Sequence, residues 1–294
     1  MASHWFDWGR ASIHYTKSGW GDPLLLIHDL YGGASSEEFD RNVRFLNQHF
    51  TVYRLDLVGF GLSDGHAFRY RWQHYANLIG DFCRDAIGAP AHVAAVGQSC
   101  GFVAAAAVGD PQLFGRLAFI APEVSEHQAS QWRRTSRLLR EAMWLALVTP
   151  PMRAVFREVM AGEWEQGEFL RRTVFDTRCV DQSTIDRLGE IAWERHALSA
   201  YASLEAGFLA TTLEDFLPHL AMPVRFICGA ECDGEYLKNV DCLAATMGGS
   251  AVDRVGRSRF WPHYEQPRVM NQLLASFLEQ SSFGESAGRG AVAA

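Results

Sequence analysis

Gly97-Gln98-Ser99-Cys100-Gly101 sets a serine between two glycines, where the apolar run Val93-Ala94-Ala95-Val96 gives way to the alanine-rich run Phe102 to Ala107. The first run has the make-up of a buried strand and the second of a helix, so Ser99 is expected at the corner of a strand-to-helix turn. The pattern is G-x-S-x-G. On such a turn a serine hydroxyl is exposed as a nucleophile, its backbone strained, with glycines on either side letting strand and helix close. The same five residues also read as a tight turn with a capping serine.

The elements that must position Ser99 follow from the pattern around it. Trp5 to Lys17 reads as two short strands forming an antiparallel edge, and Leu24 to Ile27 as a strand buried on both faces. Phe39 to His49 reads as a helix, Thr51 to Asp56 as a strand, Tyr75 to Ile87 as a helix, and Leu117 to Pro122 as the strand after the corner. Strands alternating with helices imply a mostly parallel sheet, hence an α/β fold. Residues 123–219 change character, with helical patterns at Trp132 to Leu147 and Ile185 to Phe208. Strands return at Pro223 to Gly229 and Ala251 to Val255, then a helix from Arg268 to Leu278. The expected division is a core of residues 1–122 and 220–280, a helical cap of 123–219, and a disordered Gly-, Ser- and Ala-rich tail of 281–294.

A chain of 294 residues, 48% hydrophobic, can bury a sizeable core. A net charge of -7 gives no basic footprint for nucleic acid, and no apolar run approaches the roughly 20 residues that span a bilayer. A small-molecule partner is the expectation. The start of the sequence lacks the basic and apolar regions of a secretory signal, so a cytoplasmic location is expected, with six reduced cysteines. Cys228 and Cys232 lie four apart with no second pair or histidines at ligand spacing, so no metal and no cofactor are expected. The oligomeric state is open.

The chain resembles the α/β-hydrolase superfamily as far as Leu278. The matching residues are His28 after a buried strand, Asp56-x-x-Gly59-x-Gly61-x-Ser63-Asp64, the turn at Ser99, the helical insertion, and Pro262-His263-Tyr264-Glu265-Gln266-Pro267 before the last helix. The resemblance implies a mostly parallel eight-stranded sheet with flanking helices and an inserted helical cap. It also implies a serine nucleophile activated by histidine, a carboxylate orienting that histidine, and two N–H groups for the oxyanion. Carried over, Ser99 is the nucleophile, Leu30 and Cys100 supply the oxyanion amides, and Asp233 is the acid, with Glu231 and Glu123 behind it. His28, Tyr31, Gln98, Phe260, Trp261 and Trp144 are expected to line an apolar or aromatic substrate's pocket.

Two positions depart from the pattern. The usual catalytic histidine falls at Phe260, which leaves His263, three residues on, as the nearest substitute, and a base must come within about 2.6–3.2 Å of its proton. Asp29 stands where glycine is common, and a carboxylate there repels a developing oxyanion. Three readings stay open. One is ester or thioester hydrolysis through Ser99. The second is a lyase, isomerase or cyclase in which Asp29 or His263 moves a proton, and the third is a silent ligand-binding protein.

Overall fold

A computed structural model describes residues 2–124, 135–194, 197–248 and 250–279. The chain builds one eight-stranded sheet in the order β1-β2-β4-β3-β5-β6-β7-β8. The strands are β1 (Ala2–Trp8), β2 (Ala11–Gly19), β3 (Pro23–Ile27), β4 (Thr51–Leu55), β5 (Ala91–Val96), β6 (Phe114–Ile120), β7 (Val224–Gly229) and β8 (Val252–Val255). β1 and β2 pair antiparallel, as do β2 and β4, and every other pairing is parallel. The helices between them are α1 (Asp40–Leu46), α2 (Trp72–Asp81) and α3 (Ser99–Gly109). Five more follow β6: α4 (Arg137–Val148), α5 (Pro150–Ala161), α6 (Glu163–Thr173), α7 (Gln182–Trp193) and α8 (Ala197–Glu205). α9 (Gly234–Thr246), a short α10 (Pro262–Glu265) and α11 (Pro267–Leu278) complete the chain.

The two-sided burial expected of β3 is present, because alternate residues feed separate cores. Leu25 and Ile27 join Val93, Ala95 and Phe119 on one face, and Leu24 and Leu26 join Ala94, Val96 and Ile120 on the other. On this second face α1 and α11 contribute Val43, Leu46, Met270, Leu274 and Phe277. Strand ends on the first face meet the inserted helices. The Gly33 N–H donates to the Tyr201 hydroxyl of α8 (2.8 Å), and Tyr31 stacks on Phe169 of α6 at 4.5 Å.

Two expectations change. The helix read from Ile185 to Phe208 is two helices, with α7 ending at Trp193 and Glu194 extended after it. The helix read from Trp132 begins at Arg137 behind Ser136, whose side chain accepts from the Leu139 N–H, and residues 125–134 lie outside the described residues. The segment 281–294, expected as a tail, is also outside them.

Asp233 is the N-cap of α9, its carboxylate accepting from the Tyr236 N–H at 2.8 Å. Replacing it with alanine removes one capping bond and is expected to cost about 1 kcal/mol in urea denaturation. A loss of several kcal/mol would instead mean that Asp233 does more than cap.

Candidate functional site

β5 ends at Val96, and the next residue, Gly97, takes φ +57°, the left-handed region open to glycine. Gln98 is already helical (φ -65°, ψ -29°) and Ser99 opens α3. The strained corner expected at Ser99 therefore stands two residues earlier. Ser99 is fully buried, and its hydroxyl donates to the His28 backbone carbonyl at 2.6 Å. That proton goes to an amide oxygen rather than an imidazole, so the bond ties the start of α3 to the end of β3.

His28 is no free base either. The Leu57 N–H donates to its Nε2 (3.1 Å), which fixes the proton on Nδ1, and Nδ1 donates to the Asp29 carbonyl at 2.6 Å. Both ring nitrogens serve backbone.

Asp29 is the centre of the arrangement. Its Oδ1 accepts from the Leu30 N–H (2.8 Å) and from the Gln98 N–H (2.9 Å). One amide lies in the loop after β3 and the other directly follows the residue at the tip of the β5–α3 turn. These are the two places from which an oxyanion hole draws its donors. The Cys100 N–H, expected as the second donor, instead points back to the Gly97 carbonyl at 3.3 Å. The carboxylate lies flat over Gly97: a Cβ there would fall 2.1 Å from Oδ1 and 2.2 Å from Cγ and Oδ2. Burial pushes the Asp29 carboxyl up to about 8, helped by the charge of Glu38 and opposed by the two amides. Although protein surrounds it, Asp29 keeps part of its surface open, as do Gln98 and Glu123.

Glu123 follows the strained Ala121 (φ +43°), and its N–H returns to the Gly97 carbonyl at 3.3 Å. Burial raises its carboxyl, opposed by a hydrogen bond from Gln98. Glu38 sits behind Asp29: its Oε2 accepts from the Asp29 N–H (3.3 Å) and the Tyr31 hydroxyl (3.2 Å). Its Oε1 lies 3.0 Å from His263 Nε2, both side chains being sealed from solvent. The approach is off the axis of a hydrogen bond, and Nδ1 of His263 has no hydrogen-bond partner among the described residues.

The structure thus joins Asp29, Glu38 and His263 in sequence. Among the described residues, no hydrogen bond or ion pair links Ser99 to His263. Asp233 is occupied as a cap, and Glu231 accepts from the Arg257 N–H at 3.3 Å. Phe260 packs edge-on against Tyr236 at 5.1 Å, Trp261 is buried beside Tyr31, and the Trp144 indole donates to Ser203 on α8 at 3.1 Å. Sequence reasoning missed Glu38, and read Gly97 as flanking the corner rather than forming its tip. Glu38 carried no signal, being one of two adjacent glutamates, whereas Gly97 was the first residue past an unbroken apolar strand. No group of three or more potential metal-ligating side chains occurs among the described residues, and no helix there is long and apolar enough to cross a membrane.

A family model described as alpha/beta hydrolase fold matches residues 22–173. Over 82 residues the chain is 37% identical to haloalkane dehalogenase 2 of Mycobacterium tuberculosis (strain ATCC 25618 / H37Rv), which covers 27% of this chain and 28% of that protein. Over 94 residues it is 33% identical to 2-hydroxy-6-oxo-6-(2'-aminophenyl)hexa-2,4-dienoic acid hydrolase of Metapseudomonas resinovorans, 32% of each chain. These matches span under a third of either curated relative. Among solved structures, a serine hydrolase involved in carbazole degradation, the CarC enzyme, superposes with a TM-score of 0.74 at 15% identity, covering 94% of this chain and 98% of that one. Carboxylesterase CesB from Bacillus subtilis gives 0.71 at 18% identity over 95% and 92%. At such identities the likeness is one of fold.

Proposed function

This chain belongs to the α/β-hydrolase fold family, and we propose that it acts within that fold as a non-hydrolytic enzyme, a lyase, isomerase or cyclase, in which Asp29 moves a proton to or from an apolar or aromatic small molecule. The observation that carries this reading is the Asp29 carboxylate on the Leu30 and Gln98 amides. An acyl-transfer intermediate needs those donors for its own oxyanion, and an occupied hole cannot supply them. Hydrolysis through Ser99 would also need a base at a hydroxyl now given to a carbonyl.

What the amides take from hydrolysis they give to acid–base chemistry. They pin Oδ1, so that Oδ2 carries the proton, and a carboxyl raised to about 8 is poised to give or take it near neutral pH. Glu38 and His263 act through Asp29, Glu38 by holding its backbone N–H and repelling its ionised form. A helical cap, with the helices between β6 and β7 as the roof of the substrate cleft, and a cytoplasmic location belong to the same reading.

The test is exchange of C–H protons next to a carbonyl in deuterated water, followed by NMR over a panel of aryl ketones and enolisable acids. Wild type and Ser99→Ala should both exchange, and Asp29→Asn should lose at least a hundredfold of the rate. Ser99→Ala should cost only about 1 kcal/mol of stability, the worth of one hydrogen bond. A fluorophosphonate adduct on Ser99 would overturn the reading in favour of hydrolysis. Ligand binding without exchange by any variant would favour the silent binding protein.

A further inference from the structure

Beside the N-terminal part of α3 lies a cavity of about 410 Å³, lined by Arg71 and Trp72 at the start of α2, Arg137 and Arg140 on α4, and the loop carrying Phe208 and Thr211. Its charges do not balance. Glu141 serves two cations, Arg137 at 2.9 Å and Arg69 at 3.4 Å. Among the described residues no carboxylate forms an ion pair with either Arg71 or Arg140. Arg140 is spread over the Phe208 ring at 4.6 Å and donates to the carbonyls of Ala206 (3.2 Å) and Gly207 (2.5 Å), which fix its plane. Arg69 approaches the same ring at 4.7 Å, so the cations are crowded. Burial, then Arg69 and Arg71, hold the Arg140 guanidinium below its ordinary range. Among the described residues of the lining, Asp215 is the one carboxylate.

The walls are as telling as the charges. Trp72 meets Phe216 edge to face at 5.6 Å, leaving aromatic surface along one side of the cavity. Thr211 presses against α3, since a Cβ at Gly101 would fall 2.1 Å from its hydroxyl oxygen. Thr211 therefore stands between the cavity and α3.

We propose that this cavity binds an aromatic carboxylate, the anion meeting Arg71 and Arg140 and the ring lying along Trp72 and Phe216. A planar carboxylate matches the guanidinium fork, and a neutral ligand would leave two like charges facing each other. The site stands whether or not Asp29 moves a proton, because its evidence is the cavity's own charge and shape.

Isothermal titration calorimetry with naphthalene-2-carboxylate and its neutral amide tests the proposal on the full chain. The acid should bind at least tenfold more tightly than the amide, and added salt should narrow the gap. Arg71→Gln should weaken the acid tenfold or more and leave the amide unchanged, while Arg71→Lys restores part of the loss. Arg71 is exposed and among the described residues its side chain forms no ion pair, so the melting temperature of the variant should match wild type. Asp29→Asn should leave the affinity unchanged, which separates this site from the proton-transfer reading. Equal binding of acid and amide, no binding of either, or indifference to Arg71→Gln would each overturn it. Tighter binding of inorganic phosphate than of the naphthoate would overturn the aromatic assignment.

Discussion

Asp29→Asn should flatten the dependence of stability on pH. The carboxyl ionises near its ordinary 3.8 when unfolded and at about 8 when folded, so between those values the folded state holds a proton that the unfolded state has lost. Stability attributable to Asp29 is therefore greatest below about pH 4, falls as pH rises, and levels off above about 8. Four pH units at about 1.4 kcal/mol each put the total on the order of 5 kcal/mol. Asparagine keeps an oxygen for the Leu30 and Gln98 amides and cannot ionise. Urea denaturation of wild type and variant from pH 4.5 to 8.5 should show the two curves converging at the acid end and the variant several kcal/mol more stable at the alkaline end. Parallel curves would show that Asp29 ionises normally, and its role as proton carrier near neutrality would go with them.

Much of the frame was legible because its constraints are local. β3, β5 and β6 are buried on both faces, and only unbroken apolar runs satisfy that, so Leu24 to Ile27 and Val93 to Val96 announce themselves. The division between α7 and α8 was not legible, since no glycine or proline follows Trp193 before α8. In the site, the sequence exposes the departures at Asp29 and Phe260 but not their consequence. The contact of Asp29 with Gln98 joins residues 69 positions apart, and nothing local dictates that the loop after β3 folds back over Gly97. The position of the corner was ambiguous for a different reason. Serine suits both a strained tip and the first turn of a helix, and only the end of β5 at Val96 decides that Gly97 has the tip.

Gly97→Ala tests that placement with the second large effect. Alanine at φ +57° carries about 1 kcal/mol of backbone strain. Its methyl must also displace a carboxylate lying 2.1–2.2 Å away, which breaks the bonds to Leu30 and Gln98 or shifts the turn, for roughly 2 kcal/mol more. The expected total is about 3 kcal/mol in urea denaturation at pH 6. Removing the obstructing side chain in Gly97→Ala/Asp29→Gly should return the steric part and leave the backbone part, so the double-mutant cycle should show a coupling of at least about 1 kcal/mol. Independent, additive costs would mean that the carboxylate does not fill the space above Gly97. The same cycle separates two causes that sequence alone cannot. A glycine needed only for its backbone would be indifferent to residue 29, whereas one needed to admit the carboxylate over the turn would be coupled to it.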